Sequence, residues 1–371
     1  MILDLTQEQD AFRSTVEQFV RDAVMSQAAA IDESGAFPDA VLKQAAALGL
    51  LGLTVPAAGG GAGRDAVDAA LAFEAIARAS ASVAFTLALH NTLVVDVIAR
   101  FGSEAQRTQW LRRLATGKVL GAFALAEDEA GSDLARLRTT AEPEGTGWRV
   151  RGRKVWVANG ARAGLAIVVA KAGDGVQAFL IAPDAPGVKR VAHDSVGVRG
   201  TGCVDLDLDV TVGADQLLAG GAGLVEWALE GGRIATAAQA IGIGQAGLDE
   251  AVAYAKGREA FGKSVASYQS VQWGLADTAT ELDAARLLTL KAAAARARGA
   301  AGPLDTAMAK LYASEAAHRA VDRAAELLAA SGYGRGSVIE RLCRDVRAAG
   351  IHQGTPDVQR MAIAAELLPR G

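Results

Sequence analysis

The 371-residue sequence predicts an α+β protein in three parts: a helical domain over residues 1–118, a mostly antiparallel β domain over residues 119–221, and a helical bundle domain over residues 222–371. The main observation is that the spacing of apolar residues changes from a helical period to a two-residue period and later returns to a helical one. The second observation is size. The chain is longer than a typical single domain, and 51% of its residues are hydrophobic, which is enough for a large core.

The first part begins with a helix-start signal. Thr6 and Gln9 have the spacing of a capping box, and the apolar residues that follow from Phe12 onward lie on one helical face. Further helices are predicted over residues 39–48, 65–79, 82–101 and 103–115, with a glycine-rich break after Pro56.

The second and third parts differ in the spacing of their apolar residues. Apolar residues alternate with polar residues over 204–212, which is typical of a half-buried strand, and shorter strand-like runs cover 149–157, 166–170 and 176–181. No long helical pattern separates these runs, which favours antiparallel pairing. Alanine-rich helices are then predicted over 222–257, 266–299, 303–331 and 337–349, with a short one after Pro356.

Composition excludes several classes of function. A balance of 38 basic and 42 acidic residues gives no basic surface for nucleic acid. No apolar run reaches about 18 residues without a charge or a glycine, so we expect no membrane span. Two cysteines and four histidines make a dedicated metal site unexpected. A signal peptide has a basic segment followed by an apolar one, and Met1–Asp10 lacks this pattern. We therefore expect a soluble cytoplasmic protein.

Two short patterns suggest nucleotide binding but stand in the wrong context. Residues 257–264 satisfy the P-loop pattern and residues 242–247 satisfy GxGxxG. Both motifs require a preceding strand, whereas the residues before each are alanine-rich with a helical period. We therefore predict that Gly242, Gly244 and Gly247 allow close helix packing. His193 and His318 show no pattern with a partner residue.

Six segments in one order resemble the acyl-CoA dehydrogenase family of flavoproteins over essentially the whole chain. They are ALAEDEAGSD at 124–133, KVWVANG at 154–160, REAFGK at 258–263, the glutamines at 269 and 272, SGYG at 331–334, and RD at 344–345 leading to IHQGT at 351–355. Each segment alone is a weak signal, but six in this order are specific.

The resemblance implies a barrel-like β domain, a C-terminal four-helix bundle, and FAD bound between them with part of its site from a neighbouring subunit. The residues matched to the flavin end are Leu125, Ala126, Ser132, Trp156 and Ala158. Those matched to the adenosine diphosphate end of a partner's FAD are Arg258, Phe261, Gln269 and Glu326, and further cofactor contacts match Gly354, Thr355 and Asp357. Substrate contacts match Ser132, Arg233 and Gln353.

Three of these positions depart from the family pattern. Ala126 and Ala158 stand where threonines are common, which removes two hydroxyl donors to the flavin. Glu326 replaces a glutamine, and a carboxylate near a pyrophosphate is repelled unless it is paired or protonated.

The mechanism implied by the resemblance depends on a residue that this chain replaces. In many members a glutamate removes the α-proton of an acyl thioester while a hydride leaves the β-carbon, and its backbone N–H polarises the thioester carbonyl. The matching residue is Gln353, whose amide cannot accept a proton at neutral pH. Some members carry the base immediately before the residue that Arg233 matches, but that position is Gly232.

Two substitutes for the missing base remain. Glu230 lies one helical turn before Arg233, and His352 adjoins Gln353. Each also has a purely structural interpretation, Glu230 as a charge facing solvent or CoA and His352 as part of a pocket wall.

Three functional hypotheses follow. The first is an FAD-dependent α,β-dehydrogenase that acts on a thioester of CoA or of an acyl carrier protein, passes electrons to an electron-transfer flavoprotein or to oxygen, and forms a homotetramer. The second is a non-catalytic subunit that pairs with an active homologue. The third is another flavin oxidation on the same scaffold.

Overall fold

A computed structural model describes residues 5–368, and it confirms the predicted fold class. Residues 1–4 of the Met1–Asp10 segment and the last three residues lie outside the described range. The N-terminal helices are α1 Gln7–Phe19, α2 Met25–Ser34, α3 Asp39–Ala47, α4 Ala66–Ala79, α5 Ala81–Leu89, α6 Asp96–Phe101 and α7 Glu104–Ala115. Thr6 and Gln9 form the expected capping box at the start of α1.

A π-helical segment, His90–Val95, joins α5 and α6 into one continuous helical stretch. This stretch, Ala81–Phe101, is long and apolar enough to cross a membrane by length and composition, but 94% of its most apolar window is buried inside the protein. We therefore attribute its apolar composition to its place in the core.

The β domain contains an eight-stranded mixed sheet. The strands are β1 Gly121–Ala124, β2 Thr140–Glu144, β3 Gly147–Val157, β4 Leu165–Ala172, β5 Gly175–Ile181, β6 Val188–Ala192, β7 Val204–Gly213 and β8 Leu217–Leu218. Their order is β6-β7-β3-β2-β4-β5-β8, with β1 beside β4. Most pairs are antiparallel as predicted, whereas β4 pairs in parallel with β1 and with Thr140, the first residue of β2.

The C-terminal part consists of long helices. They are α8 Gly221–Gly257, α9 Gln269–Ala297, α10 Pro303–Leu328, α11 Ala330–Tyr333, α12 Val338–Ile351 and α13 Pro356–Leu367. The helix predicted over 303–331 ends at Leu328, because Ala329 adopts a φ of 48° and separates it from α11.

Both nucleotide-binding patterns lie in structures that exclude that role. Gly242 and Gly244 are inside α8, where an added Cβ would come within 2.3 Å of the Glu74 carbonyl oxygen and 2.7 Å of Leu282 Cδ2, respectively. This confirms the prediction of close helix packing. The P-loop pattern follows α8 directly and forms a small hairpin, β9 Glu259–Ala260 with β10 Lys263–Ser264, instead of a loop after a strand.

The three parts meet in one buried cluster that includes Leu93 of the N-terminal domain, Ala158 of the β domain and Leu224 of α8. Polar contacts also cross this junction, since Asn159 Nδ2 donates to the Thr86 carbonyl at 3.2 Å. The turn after α12 lies against the same region, since Gln353 and Leu93 both approach Gly232 of α8.

Candidate active site

Gln353 lies in the turn between α12 and α13 and has a φ of 55°, in the left-handed region that non-glycine residues rarely adopt. Gln359 Nε2 donates hydrogen bonds to the carbonyls of Gln353 at 2.9 Å and Gly354 at 3.0 Å. Lys310 Nζ donates to the Gly350 carbonyl at 3.2 Å and the Gly354 carbonyl at 2.6 Å. The turn is therefore held from both α10 and α13.

The side chain of Gln353 packs on Gly232 of α8. A Cβ atom added at Gly232 would lie 2.8 Å from Gln353 Cγ and 3.2 Å from Leu93 Cδ2. The two alternative base positions that the sequence indicated therefore converge on one point, and neither carries a carboxylate.

The backbone N–H of Gln353 donates no hydrogen bond to any residue within 5–368. Its neighbour His352, in contrast, donates its N–H to Ala348 at the end of α12. A backbone donor left open beside the side chain at the base position can bind a carbonyl oxygen of a substrate and stabilise negative charge on it.

His352 lines the apolar side of this region. Its ring stacks on Phe85 of α5, with ring centres 4.1 Å apart and an angle of 16° between the planes. Burial, together with the nearby Lys310 ammonium, lowers the pKa of His352 to about 4. The imidazole is therefore neutral at neutral pH and can accept a proton.

Two cations flank Gln353. Burial lowers the pKa of Lys310 to about 8, and the nearby positive charge of Arg233 lowers it further. The Nε of Arg233 is buried and has no hydrogen-bond partner among residues 5–368. The surroundings of Gln353 therefore favour negative charge, either on a bound oxyanion or on a carboxylate placed there.

Glu230 does not share this location. It precedes Gly232 by two residues, which places it about 200° around the helix from the face that contacts Gln353. Burial raises the pKa of Glu230, while Arg296 and Arg233 partly counter this effect. Of these two cations, Arg233 also acts on Lys310 at the Gln353 turn, so Glu230 and Gln353 share one charged neighbour although they lie on different faces of α8.

Trp156 lies at a bulge in β3, where the register with β7 shifts between Lys154 and Val157. It has a φ of 56° and its side chain is 55% exposed, which is unusual for a large aromatic residue. The adjoining loop after β1 is tied to the same bulge, because Val155 N–H donates to the Ala126 carbonyl at 2.9 Å and Lys154 Nζ donates to the Leu125 carbonyl at 2.9 Å.

A buried ion pair fixes that loop. Lys154 is fully buried and lies 2.6 Å from Glu127, whose carboxylate also accepts backbone N–H groups of Arg138 and Thr139. Leu125 and Ala126 are half-buried here, Ala158 is buried, and Ser132 is exposed on the following loop. The structure thus brings the residues matched to the flavin end, except Ser132, close to one bulge.

Arg258, the first of the residues matched to the adenosine diphosphate end, lies far from Gly232 and the Gln353 turn. Arg258 follows the last residue of α8, 26 residues after Gly232, so the helix rise places them about 39 Å apart. Arg258, Phe261, Gln269 and Glu326 are all exposed. Glu326 also lines a cavity of about 300 Å³ between α8, α9 and α10.

The remaining matched residues follow Gln353. Gly354 has a φ of 97°, and an added Cβ would lie 2.7 Å from Gln359 Nε2, so only glycine fits. Thr355 caps α13 by accepting a hydrogen bond from Val358 N–H at 3.4 Å, and Asp357 is exposed in the first turn. Sequence reasoning missed Lys310 and Phe85, because each comes from a distant helix and neither has a local signal.

The flavin end of FAD fits the residues present. Trp156 offers an exposed aromatic surface for stacking on the isoalloxazine. Ala126 and Ala158 supply no hydroxyl donors, so any hydrogen bonds there come from the backbone. When bound, FAD supplies an acceptor for a hydride.

Comparison with known proteins agrees with this geometry over the full chain. Family models of the N-terminal, middle and C-terminal domains of acyl-CoA dehydrogenases match residues 6–118, 122–210 and 219–368. A probable acyl-CoA dehydrogenase of Bacillus subtilis is 38% identical over 379 residues, which cover 99% of this chain and 100% of that protein.

Two solved structures share the fold closely. Butyryl-CoA dehydrogenase from Megasphaera elsdenii has a TM-score of 0.96 and 32% identity, covering 99% of this chain and 100% of that one. Glutaryl-CoA dehydrogenase from Mycobacterium smegmatis, in complex with FADH2, has a TM-score of 0.95 and 28% identity, covering 99% of this chain and 96% of that one. The chain therefore belongs to the acyl-CoA dehydrogenase family and is an FAD-dependent oxidoreductase.

Proposed function

We propose that this protein dehydrogenates short acyl thioesters between the α- and β-carbons, with His352 accepting the α-proton in place of the missing carboxylate. The Gln353 N–H holds the thioester oxygen, and Lys310 and Arg233 favour the negative charge that develops on it. The observation that carries this proposal is the convergence of Gln353 and Gly232 on one point. Because neither of them can take a proton, a neighbouring group must do so.

His352 suits this role better than Glu230. Its ring lies on the apolar side of the Gln353 turn, against Phe85, whereas the direction of Glu230 is about 200° around α8 from Gly232, on which Gln353 packs. The low pKa of His352 keeps it in the neutral, proton-accepting form at neutral pH.

The short chain length rests on how the region beyond Gln353 is filled. Phe85 is 6% exposed, Leu89 is 5% exposed and Leu93 is 3% exposed, and the stacked His352 ring covers Phe85. We infer that these large side chains limit the length of the acyl chain beyond Gln353. The structural similarity to a butyryl-CoA dehydrogenase agrees with this preference.

Substitutions of His352 test the proposal. His352→Phe keeps a ring for stacking on Phe85 but removes the proton acceptor, and flavin reduction by butyryl-CoA should fall by about 10²-fold or more. Glu230→Gln is the matched control and should leave the rate within a few-fold of the wild type. An unchanged rate in His352→Phe would exclude His352, and a large loss in Glu230→Gln alone would assign the base to Glu230.

We also propose a homotetramer in which neighbouring subunits complete each other's FAD site. Arg258 lies about 39 Å along α8 from Gly232, on which Gln353 packs, and this exceeds the length of an extended FAD, so one chain does not place Arg258 and the Gln353 turn on one cofactor. Co-expression of Arg258→Glu with Trp156→Ala tests this. One mixed site then has both halves intact, and FAD retention should recover relative to either variant alone; no recovery would contradict a shared site.

We propose that the electron acceptor is an electron-transfer flavoprotein or oxygen. Measuring oxygen uptake during turnover distinguishes the two, because only the second consumes oxygen.

We propose a cytoplasmic location, in line with the free thiols of Cys203 and Cys343. Finding the protein outside the cytoplasm on cell fractionation would contradict that location.

A second candidate is a non-catalytic subunit paired with an active homologue. It is favoured by the loss of a carboxylate at both base positions together with the carboxylate of Glu326 at a cofactor position. The purified chain would then bind FAD and a thioester without flavin reduction, and reduction would appear only with the homologue present.

A further inference from the structure

We infer that His193 and Asp205 are positioning residues for Trp156, and that together they set the angle at which its indole meets the flavin. The sequence showed no partner for His193, and the structure corrects this. The partners come from β3 and β7, which are paired in the sheet but distant in the chain. This inference rests on the family's use of FAD and is independent of which residue accepts the proton.

The bulge that carries Trp156 needs such support. A non-glycine residue with a positive φ is strained, and strain of this kind persists only where surrounding contacts hold it. The Trp156 N–H cannot pair with β7 at the register shift, and it donates instead to Asp205 Oδ1 at 3.2 Å. Asp205 therefore replaces the lost backbone partner.

Asp205 connects the bulge to His193. Its carboxylate is almost fully buried and lies 2.5 Å from His193 Nε2 and 2.6 Å from Arg153 Nη2. The backbone N–H of His193 donates to the Cys203 carbonyl at 3.0 Å. His193 is thus held both at its backbone N–H and at its ring Nε2, which leaves the imidazole little freedom to rotate.

The fixed imidazole covers one face of Trp156. The two rings are 4.2 Å apart with an angle of 8° between their planes, a parallel stack. Because Trp156 remains 55% exposed, its other face is open for a second flat ring. A tryptophan supported on one face is held in place for stacking on the other, so binding FAD costs less side-chain ordering.

Two substitutions separate the stack from the hydrogen bond. His193→Phe keeps a flat ring without the bond to Asp205, and His193→Gln keeps a polar group for Asp205 without the ring. Asp207→Asn is the matched control, since Asp207 is on the same strand and 3.8 Å from Arg153, whereas the ion pair and hydrogen bond of His193 within the described residues go to Asp205.

The first readout needs no bound flavin. In the apo-protein, the emission of Trp156, obtained by subtracting the spectrum of Trp156→Phe variants, should change in His193→Gln because the stack is lost. It should change less in His193→Phe, which keeps the ring but loses the bond to Asp205, and should stay at the wild-type value in Asp207→Asn. The second readout is FAD affinity from the quenching of flavin fluorescence.

His193→Gln should weaken FAD binding by about tenfold, the size of one aromatic pair, while His193→Phe stays within about threefold. Thermal unfolding measured in parallel reports any general destabilisation. Equal emission and FAD affinity in the wild type and His193→Gln would overturn the inference. So would equal losses in His193→Phe and His193→Gln, because these would show a merely structural role.

Discussion

Replacing Gln353 by glutamate tests the proposed site most sharply. The two side chains have the same carbon skeleton, so Gln353→Glu keeps the packing of Cγ on Gly232. Burial raises the pKa of a new carboxyl group, whereas the charges of Lys310 and Arg233 lower it. With two cations nearby, we expect an ionised carboxylate at neutral pH.

An ionised carboxylate at this position would point at the α-carbon of a thioester whose carbonyl is held by the residue 353 N–H. A positioned general base contributes about 10²–10⁴-fold, so flavin reduction by butyryl-CoA should accelerate by at least about 10²-fold over the wild type. Anaerobic rapid mixing, followed by loss of visible flavin absorbance, measures this rate directly.

Gln353→Met is the control for side-chain size, because it has a similar length and no group that can accept a proton. It should reduce its flavin no faster than the wild type. If Gln353→Glu binds FAD and butyryl-CoA but shows no gain in rate, the argument that this position faces the α-carbon is refuted.

Three further predictions concern the pocket and the fold. Phe85→Ala should shift the rate of flavin reduction from butyryl-CoA toward longer acyl-CoAs, because it removes the ring under His352; an unchanged chain-length profile would contradict the proposed pocket floor. Burial holds the pKa of His90 at about 4 in the folded protein, below about 6.5 in the unfolded chain, so stability falls by up to about 3 kcal/mol as the pH falls between these values. His90→Gln keeps groups for both ring hydrogen bonds and should lose this part of the acid sensitivity in urea unfolding at several pH values; equal sensitivity would show that His90 is not responsible. Gly242→Ala places a Cβ 2.3 Å from a carbonyl oxygen of α4 and should cost about 1–3 kcal/mol in thermal unfolding, whereas Gly223→Ala, in an open part of the same helix, should cost nothing.

The order of the three parts was predictable because periodicity is a local property of the sequence. The alternation over 204–212 and the capping box at Thr6 each report on a few neighbouring residues, and both are confirmed. The parallel pairing of β1 with β4 and the π-helical segment at His90–Val95 were not predicted. Both depend on packing between residues that are far apart in the chain.

The candidate site was predictable only where a motif gave positions. Gln353 and Gly232 could be identified from sequence, but their contact could not, because it needs α8 and the turn after α12 to meet. The stack of His352 on Phe85 and that of Trp156 on His193 likewise join distant segments. The direction of Glu230 became clear only once the face of α8 that meets Gln353 was known.

We propose that this chain carries out α,β-dehydrogenation without a carboxylate at either base position. The most direct measurement is anaerobic reduction of the FAD-loaded wild-type protein by butyryl-CoA and by its α-deuterated form. We predict slow loss of visible flavin absorbance, slower still with the deuterated substrate, and near-complete loss of this reaction in His352→Phe. Full binding of butyryl-CoA with no flavin reduction, at any pH at which the protein is folded, would contradict the claim.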